Sequence, residues 1–228
     1  MFELIRATYE YENGATALDD ATLTIAQGCA TALTGANGSG KTTLLKMLNG
    51  LIVPTRGEYR FDGSPINKKT LSDASFAKEF HRRVGFVFQN SDAQLFCGSV
   101  EDEIAFGPRQ LELSESELRR RVDDCLALLK IEHLRFRAPY ALSGGEKRRV
   151  AFACVLALNP DALVCDEPLA NLDEESCELT LGLFKSLKAS GKTLIFATHN
   201  EDLVRELADA RIRLNKGRVA AIEERRLE

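Results

Sequence analysis

Two glycine-containing stretches of this 228-residue sequence have the composition of anion-binding loops. The first, GANGSGKT at residues 35–42, follows the apolar run CATALT and precedes TLLKMLNG, which is the strand, loop and helix context of a phosphate-binding loop. Gly35, Gly38 and Gly40 permit a tight turn whose N–H groups face an anion, and Lys41 adds a positive charge. Thr42 offers a hydroxyl to Mg²⁺. The stretch therefore predicts a site for nucleotide phosphates and their metal ion.

Two adjacent carboxylates end a second apolar run, ALVCDEP at residues 162–168. Such a run is typical of a buried strand, and α/β sheets place their ligand chemistry at strand ends. Asp166 is suited to hold Mg²⁺ through water, and Glu167 is suited to orient and deprotonate an attacking water. A solvated acidic turn is the more common reading of an isolated Asp-Glu pair, but the phosphate loop favours the metal site.

The second glycine stretch, LSGGEKRR at residues 142–149, opens an amphipathic helix that leads to the carboxylate strand. Ser143 can donate its hydroxyl, Gly144 and Gly145 allow close backbone approach, and a helix that starts there directs N–H dipoles at an anion. The alternative is a loop-to-helix connector that binds nothing.

The elements that must position these residues change in character along the chain. The runs ELIRATYEY, ATLTIA, ATALTG and GEYRF, separated by NG, QG and RG turns, predict antiparallel strands before the first loop and around it. Apolar runs at 84–88, 162–165 and 193–197 alternate with helical stretches, which predicts a parallel sheet covered on both faces.

A helical insertion is predicted between about residues 90 and 158. Ser114 and Glu117 form a capping-box pattern. The apolar positions that follow are spaced three and four apart: Leu118, Val122, Cys125, Leu126 and Leu129. We therefore predict an α/β fold over residues 1–228 as one domain: a P-loop NTPase core with a mainly parallel sheet, an N-terminal antiparallel β subdomain and a helical insertion subdomain.

Charge and cysteine content restrict the class of protein. The 34 acidic and 30 basic residues give a net charge of −4 with no long basic block, which argues against nucleic-acid binding. Six cysteines without a CxxC pair lie largely in apolar runs, which predicts small buried side chains in a reducing compartment. The longest apolar run, 150–158, is half a membrane span, so neither a membrane crossing nor a secretory signal is expected.

The two loops and the carboxylate strand, in this order, resemble the ATP-binding subunit of ABC transporters, whose signature is LSGG[QE]; the resemblance runs from about residue 3 to 220. It implies the ABC ATPase fold, ATP and Mg²⁺ as ligands, and ATP hydrolysis. It also implies a head-to-tail dimer with a second, identical or paralogous ATPase subunit. The signature of one subunit then acts on the ATP of the other through Ser143, Gly144, Gly145 and Glu146. The implied ATP-binding set is Tyr11, which stacks on adenine, with Gly35, Asn37, Gly38, Ser39, Gly40, Lys41, Thr42 and Thr43.

The resemblance also implies roles for three further residues, two of which follow other strands. Gln89 after VGFVF matches the glutamine that senses Mg²⁺ and the attacking water, which adds it to the Mg²⁺ set of Thr42 and Asp166. Asp173 in ANLD matches the D-loop that crosses the dimer, and His199 in TLIFATHN matches the switch histidine at the γ-phosphate. The implied catalytic set is Lys41, Gln89, Glu167 and His199. A plain turn residue at Gln89 and a locally packed strand residue at Tyr11 are the alternatives.

Two positions depart from the family pattern, because Leu169 stands where Thr is common and Glu146 where Gln is frequent. Neither change removes a phosphate or metal ligand, so activity is expected to survive.

The segment QNSDAQLFCGSVEDEIAFGPRQL is similar to a run typical of energy-coupling factor and cobalt-type importer ATPases. This likeness implies a transmembrane coupling protein, a separate membrane protein that captures a metal ion such as cobalt or nickel or a vitamin, and a location on the cytoplasmic face of the membrane. Phe96 and Phe106 then either contact the coupling helices or belong to the core of the insertion. The alternatives are a soluble ABC-type ATPase without a transport role and a small-molecule kinase; the kinase leaves LSGGE, ANLD and His199 unexplained.

Overall fold

The computed structural model describes residues 1–111 and 113–225, which form ten strands and eight α-helices. The strands are β1 Phe2–Glu10, β2 Thr16–Ile25, β3 Ala30–Thr34, β4 Arg56–Phe61, β5 Ser64–Pro65, β6 Val84–Val87, β7 Ala162–Asp166, β8 Thr193–Ala197, β9 Ala210–Asn215 and β10 Arg218–Glu224. The helices are α1 Lys41–Leu48, α2 Lys68–Leu71, α3 Ala74–Arg83, α4 Val100–Arg109, α5 Glu115–Leu128, α6 Gly144–Leu156, α7 Glu174–Ala189 and α8 Glu201–Leu207.

An antiparallel sheet with the order β2-β1-β4-β5 contains most of the N-terminal strands. Phe2 on β1 lies opposite both Ile25 and Phe61, and all three side chains are buried. The apolar face of this sheet shares a core with the buried side of α1, including Leu44 and Leu45. The sheet thereby fixes the start of α1 beside the loop that follows β1.

The second sheet has the order β10-β9-β3-β8-β7-β6, in which every neighbouring pair is parallel except the edge pair of β9 and β10. Every residue of β3, β7 and β8 is buried, because helices or the other sheet cover both faces. The carboxyl ends of β3, β6, β7 and β8 meet at one edge, and the predicted site residues follow these ends.

Three helices, α4, α5 and α6, lie between β6 and β7 in the chain and pack against one another. The predicted Ser114–Glu117 capping box opens α5, and the predicted apolar positions of that helix are buried. Phe152 on α6 meets Phe184 on α7 edge-on, with ring centroids 5.8 Å apart. Helix α6 also packs against β6, so it connects the inserted helices to the parallel sheet.

The predicted fold class is confirmed, with two differences in detail. The run ATALTG was grouped with the antiparallel strands, but its strand β3 is the centre of the parallel sheet and pairs with β8 and β9. Of the six free cysteines, Cys125 and Cys165 are buried, whereas the other four are partly exposed. The single-domain assignment and the insertion bounds stay predictions, and residues 112 and 226–228 lie outside the described part.

Candidate functional site

The phosphate-type loop connects β3 to α1 through glycines that no other residue can replace without strain. Gly35, Gly38 and Gly40 have φ angles of 142°, 75° and 104°. A Cβ on Gly35 would lie 2.3 Å from the carbonyl oxygen of Leu214, and one on Gly40 would lie 2.6 Å from that of Ala17. The close packing and left-handed geometry explain why the predicted glycines are needed.

Lys41 lies inside this loop and is only 8% exposed. Its ammonium group donates to the carbonyl oxygens of Gly35 at 2.8 Å and Ala36 at 3.1 Å. The hydroxyl of Ser39 is buried beside it without a hydrogen-bond partner in the described chain. A buried cation and an unpaired hydroxyl fit a loop built to receive phosphate oxygens.

Thr42 and Asp166 bring the first turn of α1 to the end of β7. The Thr42 hydroxyl donates to Asp166 Oδ2 at 2.7 Å, and Asp166 is 5% exposed. A hydroxyl and a carboxylate in contact are the oxygen ligands that Mg²⁺ uses when it keeps most of its waters. The pair therefore fits a Mg²⁺ site at the predicted residues.

Glu167, His199 and Asn37 form a row of polar groups across the ends of β7, β8 and β3. His199 Nε2 lies 3.6 Å from Glu167 Oε1 and 3.1 Å from Asn37 Oδ1. Glu167 adopts a left-handed φ of 47°, and its N–H donates to the carbonyl oxygen of Ala197 at 3.0 Å. A non-glycine residue in this conformation is strained, which occurs often at functional sites.

These residues line a cleft of about 650 Å³, a volume suited to a nucleotide-sized ligand. The predicted residues along it are Tyr11, Asn37, Gly38, Gly40, Lys41, Thr42, Thr43, Gln89, Asp166, Glu167 and His199. Ala17, Ala170 and Asn171 also line it and were not predicted. A larger open groove of about 1270 Å³ borders the other side of Tyr11, but of the described residues neither Lys41 nor the strand-end carboxylates line it. We therefore place the chemistry in the smaller cleft.

Tyr11 stands at the edge of the cleft, directly after β1. Its hydroxyl lies 3.1 Å from Thr43 Oγ1, and its ring meets Tyr9 edge-on at a centroid distance of 5.1 Å. The side chain is nevertheless 42% exposed. An anchored ring with a free face is the geometry that base stacking requires.

The second glycine stretch lies outside this cleft. Ser143 caps α6: its hydroxyl accepts from the Glu146 N–H at 3.3 Å, and its own N–H donates to the Glu146 carboxylate at 2.7 Å. These two Ser143 groups hold the pKa of Glu146 below its ordinary value. Ser143 and Gly144 are exposed, and of the described residues none from 143 to 146 lines the cleft.

Asp173 lies beside the second stretch. It caps α7 by accepting from the Ser176 N–H at 2.8 Å, and this bond lowers its pKa. A Cβ on Gly145 would lie 3.2 Å from Ser176 Oγ and 4.0 Å from Asp173 Oδ2. The starts of α6 and α7 therefore form one surface.

Arg148 is a site-forming residue that the sequence reasoning missed. It is 4% exposed, and its guanidinium reaches the backbone behind Gln89 and Glu167. A signal existed, because Arg148 lies three, four and seven residues before Ala151, Phe152 and Val155, which are buried on one face of α6.

Phe96 and Phe106 do not belong to the core of the inserted helices. They are 69% and 47% exposed, and their rings meet edge-on with centroids 5.0 Å apart. Of the two interpretations of these residues, the one that places them in the core is therefore wrong.

No helix in the described part of the chain has the length and apolar composition to cross a bilayer.

Comparison with known proteins gives the family. The family model "ABC transporter" matches residues 18–170. The nickel import ATP-binding protein LarO of Lactiplantibacillus plantarum is 47% identical over 215 residues, which cover 94% of this chain and 89% of LarO. The structure of cbiO1 from Clostridium perfringens, part of the ABC transporter complex cbiONQ, superposes with a TM-score of 0.85 at 35% identity and covers 98% of this chain and 88% of its own.

A second solved structure is the ATP-binding cassette MJ0796, a dimer in a post-hydrolysis state bound to ADP and Pi. It has a TM-score of 0.91 at 31% identity over 100% of both chains. The chain therefore belongs to the ABC transporter family, as an ATP-binding and ATP-hydrolysing domain.

Proposed function

We propose that this chain powers a membrane importer of the energy-coupling factor or cobalt/nickel type by closing head to tail on a second ATPase subunit. The relative LarO is named for nickel import, which supports a metal ion such as nickel or cobalt as the solute. A vitamin is the other solute class, because the segment with QLF and FGP is similar to that of energy-coupling factor importer ATPases.

One observation carries the dimer: the Ser143–Gly145 turn faces solvent outside the cleft that holds the phosphate loop. A turn built to meet an anion, but placed away from the anion site of its own chain, has its use on another molecule. In a two-fold pair each subunit supplies the same two surfaces, so two ATP molecules are enclosed at once. The dimeric MJ0796 structure supports this arrangement.

Within each enclosed site the residues divide the work of hydrolysis. Lys41 and the loop N–H groups bind the β- and γ-phosphates, and Tyr11 stacks on adenine. Thr42, Asp166 and Gln89 would hold Mg²⁺, which when bound would supply positive charge to the phosphate oxygens. Glu167 takes a proton as the water oxygen bonds to the γ-phosphorus and the bond to the β-phosphate oxygen breaks. The transferred γ-phosphoryl group is stabilised by His199 and by the partner's Ser143 and Gly145.

Replacing Glu167 with Gln tests this assignment. The amide keeps the size of the side chain but takes no proton, so we expect phosphate release to stop while ATP still holds two subunits together. Gel filtration with ATP should give a dimer, and ADP should not. Steady hydrolysis at the wild-type rate by Glu167→Gln would refute the role of Glu167.

A transmembrane coupling protein, with a separate membrane protein that captures the solute, is the proposed partner at the cytoplasmic face. The exposed pair Phe96 and Phe106 supports this, because exposed aromatic residues anchor protein interfaces. Detergent extraction and pull-down should recover a polytopic membrane protein. The double variant Phe96→Ser, Phe106→Ser should lose it, and the control Phe136→Ser, at a side chain that is 80% exposed, should keep it. Recovery of soluble proteins only would favour a non-transport ATPase.

A further inference from the structure

Arg148 connects helix α6 to the two strand ends that carry Gln89 and Glu167. Its guanidinium donates to four carbonyl oxygens: those of Phe88 and Gln89 after β6, and those of Asp166 and Glu167 at the end of β7. The bonds to Gln89, Asp166 and Glu167 measure 3.2, 3.0 and 3.0 Å, and the bond to Phe88 is shorter.

The hydrogen bonds of Arg148 lie where the pairing of β6 with β7 ends. Strands β6 and β7 pair in parallel register up to Val87 and Cys165. Their pairing ends there, and the N–H of Glu167 bonds to Ala197 on β8. The guanidinium of Arg148 takes the place of the missing ladder between the two segments.

Burial of this charge has a cost, which argues for a specific use. Burial lowers the pKa of the Arg148 guanidinium, and nearby negative groups, including Asp166 and Glu167, oppose that shift. The group stays charged at neutral pH. The Phe152 ring lies 5.5 Å from the guanidinium carbon and limits its movement.

Only arginine has the geometry for this position. Its planar guanidinium carries five N–H donors in a fixed fork, so it can bridge two segments at once. The single ammonium of lysine reaches fewer carbonyl groups and imposes no plane. Arg148 does not line the cleft, so it acts on the nucleotide only through the residues that it holds.

We propose that Arg148 is a positioning residue for hydrolysis, which fixes the backbones of Gln89 and Glu167 at the spacing their side chains need around the attacking water. This rests on the proposed function of the cleft. The role concerns the chemical step, so loss of Arg148 lowers kcat and leaves the affinity for ATP nearly unchanged.

The test compares Arg148→Lys and Arg148→Met with the control Arg121→Lys. Arg121 also donates from its guanidinium to a backbone carbonyl, that of Ala157 at 3.1 Å, but this lies past the far end of α6. Because a displacement of about 1 Å costs about 100-fold in rate, we expect about that loss of kcat for Arg148→Met and roughly a tenfold loss for Arg148→Lys. The Michaelis constant for ATP should change by less than about threefold, since uniform binding is kept. Arg121→Lys should match the wild type.

Rates are expressed per ATP-binding site, counted by titration with a fluorescent ATP analogue, so that poorly folded protein lowers the count and not the rate. A wild-type kcat per site in Arg148→Met would overturn the proposal, as would a raised Michaelis constant with unchanged kcat or an equal loss in Arg121→Lys. Glu167→Gln measured alongside separates two failures. Steady hydrolysis by that variant contradicts the proposed function, whereas an inactive Glu167→Gln beside a fully active Arg148→Met contradicts only the role of Arg148.

Discussion

Adding one methyl group at Gly144 tests whether the signature turn acts on the nucleotide of another molecule. Gly144 is the first residue of α6, and a Cβ placed on it meets no heavy atom within 4 Å. Alanine therefore fits the single chain without moving a neighbour. Because alanine favours helix over glycine by up to about 1 kcal/mol, the free energy of unfolding of Gly144→Ala should stay level or rise.

In the proposed dimer, by contrast, the same methyl group should lower the rate of hydrolysis. A methyl carbon extends about 1.5 Å from the Cα atom, into the space where the backbone must approach the phosphate of the partner. A displacement of about 1 Å at reacting groups costs about 100-fold in rate, so kcat should fall by at least that factor. Binding of ATP to the single subunit should not change, because its own cleft is untouched.

Three measurements test the prediction for Gly144→Ala: phosphate release, nucleotide titration and thermal unfolding. Gly182→Ala is the matched control, since Gly182 lies within α7 and a Cβ there also meets nothing within 4 Å. It should hydrolyse ATP as the wild type does. Full activity of Gly144→Ala would refute the argument that this turn closes on a phosphate.

Mixing Gly144→Ala with Lys41→Ala separates action between chains from action within one. Random pairing places about half of the molecules in mixed dimers, and each of these has one intact site out of two. The mixture should therefore recover about a quarter of the wild-type rate, although neither variant is active alone. If the mixture is as inactive as its components, the two sites are not each built from both chains and able to work independently.

Two further predictions concern the base and the core. Tyr11→Ala should weaken ATP binding by about five- to 150-fold, because base stacking contributes roughly 1–3 kcal/mol. Tyr11→Phe loses only the 3.1 Å bond to Thr43 and should weaken binding less than about tenfold; equal effects would contradict stacking. Separately, burial raises the pKa of the Cys125 thiol from 9.0 to about 11 and that of Cys165 to about 12. Their stabilising effect is complete below pH 9 and is lost as pH rises toward the folded values, because the unfolded chain releases these protons first. Urea unfolding from pH 8 to 11 should show this decline, with a smaller one in Cys165→Ala; an equal decline would contradict the assignment.

The sequence predicts those parts of the site whose residues are neighbours in the chain. The loop from Gly35 to Lys41 and the pair Asp166–Glu167 are each defined by local spacing, so strand, loop and helix patterns suffice to place them. The spacing of Arg148 places it on the buried face of α6, but its partners could not be read from the sequence, since the carbonyl oxygens that it binds belong to residues 60 and 18 positions away.

The two phenylalanines show a different limit. Phe96 and Phe106 fit both a core and an interface, because an apolar aromatic side chain suits either place. Only the folded structure decides, and it leaves both rings at the surface, Phe106 on α4 and Phe96 in the segment before that helix. Strand β3 illustrates the same limit in the sheets, since its short apolar run carries no sign of whether its neighbours are parallel.

The charge of Glu146 bears on how tightly the proposed dimer closes. Its carboxylate belongs to the capping box of α6, and its lowered pKa keeps it ionised at neutral pH. Asp173, with a lowered pKa of its own, caps the adjacent helix α7. Closure therefore brings two anions toward the phosphates of the partner's ATP, and the attraction must come from the helix N–H groups and from Lys41 beneath the nucleotide. Release of phosphate removes the group that these N–H dipoles attract, so the proposed pair loses the main attraction that holds it closed.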